Sequence, residues 1–226
     1  MNIKITKEEA DFILKNHKLS QHLMGSRLYG THKEDSDTDY LIMYDSFHKS
    51  SDLYYPNYHQ FQYDDVENNT QYVFTSDSQF YKNLFSGDST INADIIMFST
   101  LYGSESDRLN ILRTYNIIKA YIGFAKRDLK SFKQNKGKNK LFHAARGLYC
   151  AEELILNRLP KKEYLSILNV FNFDELGMQE VRLRYQCNEL FEQNDLTMYP
   201  KLPLVEPVNN LEKLITEANN IREFKY

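Results

Sequence analysis

Up to Gly103, apolar residues come in short runs divided by turn-forming residues; beyond it they recur every three or four positions over long stretches. The first pattern predicts short strands and helices, the second a region of amphipathic helices. Thr6 followed by Lys7, Glu8 and Glu9 is a helix start, a hydroxyl cap with acids in the first turn. Ala10, Ile13 and Leu14 give that helix its apolar face. His22-Leu23-Met24 reads as a short strand or the entry to a turn at Gly25-Ser26, with a short helix over Arg27 to His32. Asp39-Tyr40-Leu41-Ile42-Met43-Tyr44 reads as a buried strand, and residues 46–60 as a loop. Gln60 to Asp65 and Gln71 to Thr75 pair as a hairpin across Glu67-Asn68-Asn69-Thr70. Ser76-Asp77-Ser78-Gln79 opens a helix with Phe80, Leu84 and Phe85 inward, ended by Gly87. Ala93-Asp94-Ile95-Ile96-Met97-Phe98 reads as a second strongly apolar strand.

Beyond Gly103, Ile111, Tyr115, Ile118, Ile122, Ala125, Leu129 and Phe132 fit one long helix over Arg108 to Gln134, broken at Gly137. A second helix, Lys140 to Arg158, carries Leu141, Ala144, Leu148, Ala151 and Ile155 on one face and is followed by Pro160. Residues 174–194 and 207–224 read as further helices, separated by Pro200 and Pro203. The pattern predicts an α+β fold in two parts: residues 1–105 with a small sheet and flanking helices, residues 106–226 helical.

Length allows this, since 226 residues suffice for one large domain or two small ones. Hydrophobic residues make up 42%, enough for a core. There is no apolar run of the roughly 18 residues that a membrane span needs. The first residues, Met1 to Lys7, carry no apolar secretion segment. Cys150 and Cys187 form no CxxC pair and no zinc spacing, which points to reduced thiols and a cytoplasmic protein. The formal net charge of −3 hides an asymmetry: Arg113 to Arg146 holds ten Lys or Arg and one acid, Asp128. Such a block suits either a solvated helix face or a polyphosphate or RNA backbone.

The chemistry concentrates in Gly25-Ser26-Arg27-Leu28-Tyr29-Gly30 and Asp35-Ser36-Asp37-Thr38-Asp39. On a strand, Asp37 and Asp39 point to one face about 7 Å apart. Two hard cations held by oxygen ligands suit that spacing. Gly25 and Ser26 can offer backbone N–H groups and a hydroxyl to phosphate oxygens, Ser26 also being a plausible helix cap. Gly30 suits a turn or close backbone approach. Arg27 suits a bidentate phosphate contact or a surface charge. Lys126, Arg127, Lys130 and Lys133 flank an apolar helix face, and Lys136, Lys138 and Lys140 surround the Gly137 turn. His143 and Arg146, one helical turn apart, suit triphosphate binding or hydrogen bonds between helices. Tyr54, Tyr55 and Tyr58 suit base stacking or loop packing.

These residues resemble the polymerase-beta-like nucleotidyltransferases, whose motif is a Gly-Ser turn, ten residues, then DxD. GSRLYGTHKEDSDTDY is similar to a bacterial and phage branch of predicted nucleotidyltransferases, some of them associated with RNA ligases. The likeness extends to Ile118 through Ala125 and to His143 through Leu154, and spans roughly residues 20–160 by this motif reading. Two departures stand out: Leu41-Ile42 follow DxDY where the branch has Arg-Gly, and Gly87 through Asp94 replace its Asn-Pro…Glu element. The resemblance implies a nucleotidyltransferase fold, a small mixed sheet flanked by helices and followed by a helical domain. It implies transfer of a nucleoside monophosphate from a nucleoside triphosphate (ATP or another) to a hydroxyl, an RNA 3′ end or else a protein or small molecule; the alternative from another class is a nucleotide-binding protein without catalysis. It also implies two Mg2+ ions, or Mn2+, at Asp37 and Asp39, with a third carboxylate on a neighbouring strand. Asp94 is the candidate for that third position, with Asp64 and Asp65 as rivals. Gly25, Ser26, Arg27, Lys126, His143 and Arg146 are the candidates for binding the nucleotide. For a phage-encoded member the compartment would be the host cytoplasm.

Overall fold

The computed structural model describes residues 3–45, 60–135, 137, 139–165, 168 and 172–199. The loop expected over 46–59 with Tyr54, Tyr55 and Tyr58, Lys136 and Lys138, and the helix expected over 207–224 lie outside the described residues. The fold is α+β, with a five-stranded mixed sheet flanked by helices and a helical region after it. The chain forms two compact units, Met1–Asn83 and Leu84–Tyr226, the division falling ahead of the compositional change near Gly103.

In the first unit the elements run β1 (Ile3–Lys4), α1 (Lys7–Asn16), β2 (Lys18–Leu23), α2 (Gly25–Tyr29), β3 (Thr38–Tyr44), β4 (Gln60–Asp65) and β5 (Thr70–Ser76). The strand order is β1-β4-β5-β3-β2, with β1/β4 and β3/β5 parallel and the other pairs antiparallel. The Thr6 cap is observed as a full capping box: its hydroxyl accepts the Glu9 N–H and the Glu9 carboxylate accepts its own. Ala10 and Ile13 of α1 then pack with Ile42, Phe61 and Phe74 of the sheet. Tyr40, Tyr63 and Tyr72 share that face, stacked across three strands at 5.7 and 6.2 Å between ring centres. Cross-strand aromatic pairs of this kind hold register, because a slip by one residue would turn them all to the other face. The opposite face therefore belongs to the intervening residues, Asp39, Leu41 and Met43 of β3, and there the polar chemistry lies.

α3 (Asp77–Ser86) leads out of the sheet as its sequence predicts, with Phe80, Leu84 and Phe85 buried. Gly87 stops it at φ +71°, where a Cβ would stand 2.6 Å from the Asn116 carbonyl oxygen. In the second unit follow α4 (Thr90–Phe98), α5 (Glu105–Leu112), α6 (Tyr115–Lys133), α7 (Lys140–Ile155), α8 (Lys162–Leu165) and α9 (Phe173–Glu192). α6, α7 and α9 pack on one another through Tyr121, Ile122, Ala125, Ala144, Leu148, Ala151, Leu183 and Cys187, all buried.

Two expectations are corrected. Ala93 to Phe98 is the end of helix α4, not a strand. A continuous apolar run reads alike for a buried strand and a helix buried all round, and α4 is the latter: Asn92 through Met97 are all buried. The long helix expected over Arg108 to Gln134 is two helices, parted at Arg113-Thr114. The Thr114 hydroxyl accepts the Ile117 N–H and starts α6, while the apolar spacing continues through the break and conceals it.

Candidate functional site

β2 delivers the chain to Met24, whose N–H donates to the Asp39 carbonyl at 2.8 Å. That bond sets the start of α2 beside the start of β3. Gly25 follows at φ +60°, a conformation that favours glycine. A Cβ on Gly25 would stand 2.9 Å from Asp39 Oδ2, so the absent side chain is what lets the carboxylate lie against this backbone. The two halves of the motif thus meet in space.

Asp37 lies just ahead of β3 and Asp39 within it. Burial pushes the Asp39 carboxyl above the usual carboxylate range, and the neighbouring Asp37 charge pushes it further the same way. Both causes act in the same direction, against the charged form. Ser26 is half-buried, and its carbonyl accepts the Thr31 N–H at 2.9 Å. Gly30 closes α2 at φ +72° with nothing within 4 Å of where a Cβ would be, so its role is the turn rather than close approach. Arg27 turns its guanidinium to the loop: Nε donates to the Asp37 carbonyl at 3.0 Å and an Nη to the Ser36 carbonyl at 2.7 Å.

The register separates the rival carboxylates. Asp39 pairs with Gln71, and Gln71 with Asp64, so these three side chains form one row on one face. Two strand spacings put Asp64 about 10 Å from Asp39. Asp64 already accepts from Lys4 at 2.7 Å, Gln62 at 2.7 Å and Gln71 at 3.1 Å, which hold it below the usual carboxylate range. Asp65 points to the other face and accepts from Asn68 in the hairpin turn. Gln71 reads in the sequence only as the start of a hairpin strand; the hairpin register and strand alternation together place it in this row. His22, read in the sequence only as a strand residue, also lies near this row. It is buried, pairs with Leu41 one row from Asp39, and shares a 2.8 Å hydrogen bond with Ser20.

Asp94 stands on helix α4 in the second unit, fully buried, and accepts from the Tyr121 hydroxyl at 2.7 Å. The inference that Asp94 and Asp39 open neighbouring strands fails, because β5 and β2 are the strands beside β3. Arg146 on α7 is also buried, and both Asp94 and Arg146 act on the charge balance of the buried Cys150 thiol. His143 is half-buried, and burial and the Arg146 charge push its pKa down, against the pull of Asp128. Asp128 is fully buried and pairs with Lys140 at 3.3 Å and Arg127 at 3.5 Å. Lys126, Lys130 and Lys133 are exposed on α6, and Arg127 lies over the Phe124 ring. Among the described residues, no three His, Cys, Asp or Glu side chains gather closely enough to hold a metal ion by themselves.

No protein-family model matches the chain, and comparison with curated proteins finds no match. Among solved structures it is similar to a nucleotidyltransferase-like protein from Exiguobacterium sibiricum 255-15, at 6% identity and a TM-score of 0.29. That likeness covers 80% of this chain and 72% of the other, and is too loose to bear on the site. No helix among the described residues is long and apolar enough to cross a membrane.

Proposed function

We propose that this chain is a metal-dependent nucleotidyltransferase, moving a nucleoside monophosphate from a nucleoside triphosphate to a hydroxyl. The observation that carries the reading is the approach of the Asp39 carboxylate to Gly25, beside a second carboxylate two residues away. A half-buried carboxylate beside a like charge and against a bare backbone turn suits a divalent cation. Mg2+ is commonly held by one or two carboxylates together with substrate phosphates, so Asp37 and Asp39 fit it without a third protein ligand. Such an ion, when bound, supplies charge stabilisation at the transferring phosphoryl group and acidifies the attacking hydroxyl. Asp37 and Asp39 would hold it, and Mn2+ would serve in its place. Gly25 lets the Asp39 carboxylate lie against the turn, and the Ser26 hydroxyl would orient a phosphate oxygen. The hydroxyl gives up its proton to solvent, its oxygen bonds to the α-phosphorus, the bond from that phosphorus to the bridging β-phosphate oxygen breaks, and pyrophosphate leaves.

Asp94 is less suited to a ligand's role than the sequence suggests, since its burial and the Tyr121 bond favour holding α4 to α6. The acceptor we favour is an RNA 3′ end, supported by exposed Lys126, Lys130 and Lys133 on α6. The test is incubation with each labelled nucleoside triphosphate, Mg2+ or Mn2+, and RNA or protein extract. Label is expected on RNA, and Asp37→Ala with Asp39→Ala should reduce it to background. Label on a protein or a small molecule would replace the acceptor, and transfer surviving the double substitution would overturn the assignment.

A further inference from the structure

Residues flanking Asp37 are secured in two ways. From Thr38 onward the strand ladder and its neighbours take over: the Thr38 N–H donates to the Asn69 carbonyl at 3.0 Å, and the Asp39 carbonyl accepts from Met24. Before Thr38 the loop makes its own tight turn, with the Ser36 N–H on the Lys33 carbonyl and the Lys33 N–H on the Ser36 hydroxyl. That turn fixes the loop's internal shape, not its place relative to α2. Asp37 sits at the junction, and the Arg27 guanidinium spans it.

We infer that Arg27 is a positioning residue, whose guanidinium ties the Ser36 and Asp37 carbonyls to α2 and so fixes the Asp37 carboxylate relative to Gly25 and Asp39. The metal part of this inference rests on the function proposed above. Two observations favour it over a phosphate contact or a surface charge. Two donors of the planar fork are already spent on adjacent carbonyls, at 3.0 and 2.7 Å. The residue is half-buried against the loop. An arginine ion-paired to Asp37 or Asp39 would compete with a cation, whereas one bonded to carbonyls orders the loop and leaves both carboxylates acceptor-rich. Lysine cannot reproduce this, because a single ammonium does not bridge two successive carbonyls in a fixed fork.

The experiment uses the full chain as wild type, Arg27→Gln and Arg27→Lys, with Asp37→Asn/Asp39→Asn as the control. Amide hydrogen exchange without metal reads the clamp, and Mn2+ titration followed by electron paramagnetic resonance reads the carboxylate pair. In Arg27→Gln, exchange over residues 33–39 should quicken on the order of tenfold while α1 and β4 keep their protection. Mn2+ affinity should fall on the order of 10- to 100-fold, as for other residues that orient metal ligands. Arg27→Lys should fall between Arg27→Gln and wild type in both. Unchanged exchange over 33–39, or protection lost equally across the whole first unit, would overturn the clamp. Unchanged Mn2+ affinity in Arg27→Gln would overturn its positioning role. Wild-type Mn2+ binding that ignores Asp37→Asn/Asp39→Asn would instead overturn the metal reading, with exchange still deciding the clamp.

Discussion

Gly25 shows how much one missing side chain can decide. Its φ of +60° is costly for any residue with a Cβ, and that Cβ would meet the Asp39 carboxylate at 2.9 Å. A carboxylate end can swing away where a backbone atom cannot, so the cost divides. Gly25→Ala should destabilise the fold by about 1–2 kcal/mol for the left-handed backbone. It should also displace the Asp39 carboxylate, so Mn2+ affinity should fall by more than the loss of stability explains. Thermal melts and Mn2+ titration on the same protein check both. Substitution at Gly30, where no atom lies within 4 Å, should cost stability alone.

At the scale of elements, the seam between α6 and α7 is polar where its neighbours are apolar. Asp128 is fully buried there beside Lys140, and His143 Nδ1 is buried without a hydrogen-bond partner among the described residues. Burial and Arg146 depress the His143 pKa in the folded protein. In the unfolded chain it returns to about 6.5. Between the two values the unfolded chain binds the extra proton, so stability is full above about pH 6.5 and declines as pH falls through it. Melting temperatures between pH 7.5 and 5 should show the decline, and His143→Gln should flatten it. An unaltered slope in the variant would assign the pH dependence elsewhere.

At the scale of the whole molecule, the exposed lysines of α6 make a prediction separate from catalysis. If RNA is the acceptor, its binding should weaken with salt, with a slope near −0.7 per phosphate contacted on a single strand. Lys126→Gln, Lys130→Gln and Lys133→Gln together should make that slope shallower, by filter binding at several salt concentrations. Most of the sheet unit was legible in the sequence because its signals are local. A hydroxyl cap three residues before Glu9, a polar hairpin turn and the apolar run after Asp39 each specify one element. The motif named Gly25 and Asp39, but the contact between them appears only in the structure. What could not be read depended on partners remote in sequence. Whether Asn92 to Phe98 is helix or strand turns on being surrounded on every side. Asp64 and Asp65 are neighbours in sequence, and only the register through Gln71 reveals which of them shares the face of Asp39. Arg27 looks like a ligand for phosphate until the carbonyls ten residues away are in view.

Both cysteines, Cys150 and Cys187, lie in the helical unit and are buried. Burial raises both thiols, Cys187 to about 11, so at neutral pH neither presents a thiolate to an alkylating reagent. The protein therefore carries a native reporter of its own opening. Iodoacetamide should label it only as fast as the helical unit exposes its interior, and be silent to events confined to the sheet. Loosening the DxD loop by substituting Arg27 should leave that labelling rate untouched, whereas substituting Tyr121, which holds Asp94, should raise it.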